Sequence, residues 1–181
     1  MRPNRVRINS LIAAGALLMG GVAVPHAEAD NPVGQELKQS GAEPEYFDVK
    51  KDHAAMHRAV RKARRTIGTF IAALQRPAPG QKDFEVKKPF VQGNEVEHIW
   101  LSDARFSGNR LHGRVDNVPK KIRGLKVGDF VSVNPDEISD WAFVDNGRLV
   151  GGYTIRALYH ELPPEQKKQF DQAADFRIGQ K

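Results

Sequence analysis

Cysteine is absent from all 181 residues. That excludes disulfides and thiol nucleophiles, so stability must come from an ordinary core. The chain also lacks a Gly-x-Ser-x-Gly elbow and a glycine-rich phosphate loop, which removes two common signatures of nucleophilic and phosphate chemistry. Tryptophan occurs only twice, at Trp100 and Trp141. Long apolar runs are missing too. The uncharged stretch from Ile8 to Val24 is at the short limit for spanning a bilayer and is rich in Gly and Ala. No cysteine follows it, which excludes a lipid-anchored form.

What is present at the start has a clear order. "MRPNRVR" supplies three arginines, the apolar run follows, and Ala27-Glu28-Ala29 closes it with small residues where a signal peptidase reads. This order predicts a signal peptide over residues 1–29, cleavage after Ala29 and export to a bacterial periplasm, with no transmembrane anchor left afterwards. The remaining 152 residues carry 25 basic and 21 acidic side chains, a net charge of +4. That balance favours an anionic partner, such as an envelope protein or an anionic envelope polymer. Export argues against nucleic acid. No cofactor is expected.

Residues 30–51 mix Pro, Gly and charge without apolar period and read as a flexible leader. In the next stretch Met56, Ala59, Val60, Ala63, Ile67, Phe70, Ile71 and Leu74 recur at three- and four-residue steps. They predict one long amphipathic helix, with Asp52 as a possible cap and "RPAPG" as its stop. From residue 84 the period changes to two. Short runs alternate with "QGN", "SGN", "VGD", "NPDE" and "DNG", and the last strand is read as "RLVGGYTIR". Asn146-Gly147 marks a tight hairpin. A short C-terminal helix starts at "ELPPEQ". The fold class is therefore α+β: the long helix packed on a curled, mainly antiparallel sheet of five to six strands.

Several constellations could carry chemistry. His53 and His57 have the i, i+4 spacing of a two-histidine metal site. The glutamate of a His-Glu-x-x-His motif is missing, and Arg58 and Arg61 would repel a cation, so no metal is expected. Arg58, Arg61, Lys62, Arg64 and Arg65 could dock an anionic surface, but a solvated helix back is the plainer reading. Strand alternation sends Glu97 and His98 to opposite faces, with His98 beside Trp100, so the two form no local dyad. Asp140 and Trp141 also diverge. Asp140 lies between Ile138 and Ala142 on its face and needs a partner, for which Arg156 is the candidate. Gly151 and Gly152 fit a bulge or a close approach of the Trp141 ring. Glu95, Glu97, Asp103, Asp136 and Asp140 offer carboxylates, though no spacing marks a catalytic pair.

The segment from Phe84 to Arg156 resembles the YegJ-like domain-of-unknown-function family 2314. The likeness rests on the Lys87 strand, Glu97-His98-x-Trp100, Gly113-x-x-x-Asn117-x-Pro119, Gly128-Asp129, Asp140-Trp141 and Gly151-Gly152. With the preceding helix it implies a domain over residues 52–158, followed by a helix and tail over residues 159–181. It implies no chemistry. The expectation from the sequence is thus an exported, non-catalytic binding or accessory module. A candidate ligand or partner site comprises Glu97, His98, Trp100, Asp140, Trp141, Tyr153 and Arg156. The alternative is a small hydrolase pairing an Asp or Glu with His98.

Overall fold

Helix gives way to strand at Gln81, three residues before the period of the sequence changes at residue 84. A computed structural model of the protein describes residues 49–179, with side chains from Ala54 onward. The predicted signal peptide, most of the predicted leader and the His53 side chain lie outside the described residues. Helix α1 (Val49–Arg65) and helix α2 (Ile67–Gln75) precede strands β1 (Gln81–Gln92), β2 (Glu95–Ser107), β3 (Arg110–Val115) and β4 (Phe130–Val133). A 3-10 turn (Pro135–Glu137), β5 (Asp140–Asp145), β6 (Arg148–Gly151), α3 (Tyr153–Glu161) and α4 (Pro164–Ala173) complete the order.

The single long helix of the sequence reading is in fact two, broken at Thr66. The Thr66 hydroxyl donates back to the Lys62 carbonyl at 2.8 Å, and its N–H is shared between the carbonyls of Lys62 and Ala63. The Ala63 carbonyl also accepts the Trp141 indole N–H at 3.0 Å. The helical ladder is interrupted because a side chain from the sheet competes for its acceptor. Helical backbone already runs from Val49, so Asp52 sits inside α1 instead of capping it.

The six strands form one sheet in the order β4-β3-β2-β1-β5-β6, and every neighbouring pair is antiparallel. Two bulges curl it, one between Lys82 and Glu85 and one between Ser102 and Arg105. At each, an aspartate takes the left-handed conformation, with φ of 55° at Asp83 and 52° at Asp103. Asp tolerates that region better than most residues, and a bulge increases local twist.

One face of the sheet packs Val86, Ile99, Leu101, Leu111, Trp141 and Phe143 under Ala63 and Phe70, as the helical stripe predicts. The Phe70 and Trp141 ring centroids are 5.5 Å apart. The second face is only partly covered. There Trp100, Ala142, Val144 and Leu149 pack against Ile155, Phe170 and Phe176.

The C-terminal region also departs from the sequence reading. The last strand ends at Gly151, because Gly151 and Gly152 both adopt positive φ, at 71° and 59°. Tyr153 to Arg156 therefore begin a helix, and two helices follow the sheet in place of one. Gly151 is the glycine that meets the Trp141 ring; a side chain on Gly152 would instead meet Leu149 at 2.6 Å. The tail returns to β6, where the Leu149 N–H bonds the Arg177 carbonyl at 3.0 Å. That contact covers one sheet edge and leaves β4 as the other.

Candidate functional site

Asp140 is fully buried, yet its partner is not Arg156. Its carboxylate accepts the N–H groups of Trp141 at 2.9 Å, Tyr153 at 3.1 Å and Thr154 at 2.7 Å, plus the Thr154 hydroxyl at 2.6 Å. Tyr153 and Thr154 are the first residues of α3, whose opening N–H groups have no partner within the helix. Asp140 thus caps α3 from a neighbouring strand and meets the positive end of its dipole. Burial pushes the carboxyl pKa up; the Thr154 and Trp141 donors and the charge of Lys87 oppose the rise. Arg156 turns elsewhere, donating to the carbonyls of Gly151, Leu149 and Gly179. It ties the tail to β6. Once the chain turns at Gly152, the helix start faces Asp140 and the arginine does not.

The other predicted site residues do not converge on a catalytic group. Glu97 accepts the backbone N–H groups of Lys120 and Lys121 at 2.8–3.0 Å. Burial pushes its pKa up, but these donors and that of Ile122 outweigh it and hold the carboxyl below its usual range. Trp141 packs in the core, and the Tyr153 ring meets it edge-on at 5.6 Å. His98 Nδ1 lies 2.9 Å from the Ser139 hydroxyl. Burial, Lys87 and Arg64 hold its pKa below the ordinary value.

Ser139 is only 1% exposed, and its hydroxyl also lies 3.3 Å from the Lys87 carbonyl. Asp140 and Glu97 spend their oxygens on backbone and Thr154 donors, and His98 Nδ1 meets the Ser139 hydroxyl. Lys87 pairs in register with Trp100 on β2 and Asp140 on β5, and its ammonium lies 5.5 Å from the Trp100 ring centroid. Burial lowers the Lys87 pKa, while Asp140 offsets part of the drop. The Trp100 indole N–H is buried without a hydrogen-bond partner among the described residues. Among those residues, no group of three His, Asp or Glu side chains is placed to hold a metal ion.

The open half of the second face contains what the sequence reading missed. Arg110, His112 and Arg114 alternate along β3, so they share one face. In register, Arg114 faces Phe130, and His112 lies between Arg105 and Ser132. Phe130 is 62% exposed. Its ring stacks on His112 at 5.6 Å and 7°, and the Arg114 guanidinium lies 5.9 Å from its centroid. Asp103, Ala104, Arg105, Arg114 and Phe130 line an open cleft of about 420 Å³. A second cleft of about 310 Å³ shares Asp103 and Ala104 and continues past Asp83 and Glu85. The signal for the first was available: Arg-x-His-x-Arg at strand period is a basic row. Only the β3–β4 register, however, reveals that an aromatic lies beside it.

Comparison with known proteins adds family and no activity. The family model described as an uncharacterized protein conserved in bacteria, DUF2314, matches residues 53–178. A putative ankyrin repeat protein of Neisseria meningitidis is 35% identical over 141 residues, covering 74% of this chain and 56% of the relative. The chain thus spans little more than half the length of that protein. The uncharacterized protein YegJ of Escherichia coli is 30% identical over 115 residues, covering 64% of this chain and 74% of the relative. No solved structure matches. With a family model matching most of its length, the chain belongs to the DUF2314 family.

Proposed function

We propose that the mature chain is an exported, non-catalytic module that binds an anionic partner on the open face of β2, β3 and β4. The observation that carries this reading is an exposed phenylalanine held between a histidine and an arginine. Phe130 sits over a cleft flanked by Arg105 and Arg114, with Asp103 the one acid lining it. An exposed aromatic flanked by guanidinium groups offers flat contact area and charge-assisted donors at once. The acids most available from the sequence are used elsewhere, Asp140 as a helix cap and Glu97 as a loop clamp. Charge at the chain start, the apolar run and the small-x-small site support export. No helix among the described residues is long and apolar enough to cross a membrane.

Two measurements test the reading. Fluorescently labelled polyglutamate and heparin are titrated against the purified mature chain at low and high salt. Saturable binding is expected, weakened by salt and reduced about tenfold in the double variant Arg105→Glu, Arg114→Glu. Absence of binding to either polymer at low salt would reject the face. For export, the N-terminus of the processed chain is expected at Asp30; an intact Met1 chain recovered from membranes would reject it.

A further inference from the structure

We infer that the open edge of β4 takes an acidic, extended peptide as an added strand, with its acidic side chains lying over Arg114 and Arg110. The inference rests on the proposed binding face and names what that face recognises. Among the described residues β4 pairs only with β3, so one row of its backbone groups faces outward. Register identifies that row. The Val115 N–H bonds the Asp129 carbonyl at 2.9 Å. Bonded pairs alternate along an antiparallel ladder, so the next ones are Gly113 with Val131 and Leu111 with Val133. Phe130 and Ser132 therefore turn their N–H and C=O groups to the open edge.

An amide backbone is the partner that complements such a row, since it presents donors and acceptors at the same strand spacing. Side-chain alternation then sets the sequence preference. On the Phe130 and Ser132 side, an added strand meets Arg110, whose Nε donates to the Ser132 hydroxyl at 2.6 Å, and Arg114 beside Phe130. Acidic residues fit there. On the other side lie Val131 and Val133, packed with the main core, and apolar residues fit. The recognised pattern is acidic and apolar in alternation. A second copy of this chain is the weaker occupant, because pairing β4 with itself brings two rows of arginines to one edge. The opposite edge offers no equivalent, since the tail already occupies β6.

The probe is a short synthetic peptide of alternating Glu and Val, with two companions. One carries N-methyl groups on alternate residues, which blocks one hydrogen-bonding edge without touching the protein. The other companion is heparin, which has the charge but no amide backbone. Binding is read by isothermal titration of the mature chain and of Ser132→Pro and Ser132→Ala. Proline removes the outward N–H at an edge position that tolerates it, whereas alanine removes only the hydroxyl. The expected result is about tenfold weaker peptide binding for Ser132→Pro, about twofold or less for Ser132→Ala, and loss of binding by the N-methylated peptide. Equal binding of the methylated and parent peptides overturns the inference, as does an unaffected, folded Ser132→Pro. If Ser132→Pro does not fold, the methylated peptide decides alone. Heparin binding together with insensitivity to methylation leaves the basic face standing and removes the added strand. Failure of all three probes removes the face itself. Concentration-dependent self-association through this edge, read by sedimentation and lost in Ser132→Pro, also overturns it in favour of a second copy.

Discussion

Asp140 and Arg114 belong to the same face of the same sheet, and the fold treats them in opposite ways. Around Asp140 the face is closed by Ile155, Phe170 and Phe176, and four donors satisfy one carboxylate. Around Arg114 nothing among the described residues closes it, and the charges keep company with an exposed ring. A buried acid is costly unless fully bonded, so its position speaks about stability. An exposed arginine beside an aromatic costs little to maintain, so its position speaks about binding. The residues that draw the eye in the sequence are in the first group.

The sharpest way to break this contrast is Asp140→Ala. It leaves the Tyr153 and Thr154 N–H groups and the Thr154 hydroxyl without their acceptor in a buried site. A loss of about 3–5 kcal/mol is expected by urea unfolding. A variant as stable as the parent would mean that α3 needs no cap.

The next comparison sets two phenylalanines from the two halves against each other. Phe176→Ala should cost about 3 kcal/mol, because that ring seals the closed half. Phe130→Ala should change stability by less than about 0.5 kcal/mol, because the ring is solvent-exposed. Its effect should be on anion binding. Equal losses of stability would show that both halves are packed alike.

Smaller again is Gly113→Ala, behind the basic row on the core face of β3. A methyl there would meet Leu101 Cβ at 2.8 Å and the Ser102 carbonyl at 3.0 Å. Overpacking of that kind costs about 1–3 kcal/mol, read as a lowered melting temperature. An unchanged midpoint would show that β2 and β3 can separate freely.

The mildest effect concerns pH. The folded state holds His98 below its ordinary pKa of 6.5, through burial and the charges of Lys87 and Arg64. The unfolded chain therefore binds more protons as pH falls through that value. His98 should contribute stability above pH 6.5 that is lost on acidification below it. Melting temperature measured across this window should flatten in His98→Gln relative to the parent. An identical slope in both proteins would remove His98 from the account.

Much of the architecture was legible because periodicity is local. The core-facing part of the Met56-to-Leu74 stripe (Ala63, Ile67, Phe70, Ile71 and Leu74), the hairpin at Asn146-Gly147 and the opposed directions of Asp140 and Trp141 need only helix and strand geometry. The break at Thr66 was not legible, because a tryptophan 78 residues later competes for the Ala63 carbonyl. The partner of Asp140 was misread for a related reason. A charge suggests an opposite charge, whereas backbone N–H groups at a helix start leave no mark in composition.

The sequence by itself determined that disulfide and thiol chemistry are absent, that the strands are mainly antiparallel, and that Arg110, His112 and Arg114 recur at strand spacing. These follow from residue identity and near-neighbour spacing. Tertiary structure alone decided which carboxylates are spent inside the fold, which edge of the sheet stays open and which ring stands beside the arginines. Those outcomes depend on strand register and on where the C-terminal tail lands, which set the distances between residues far apart in the chain.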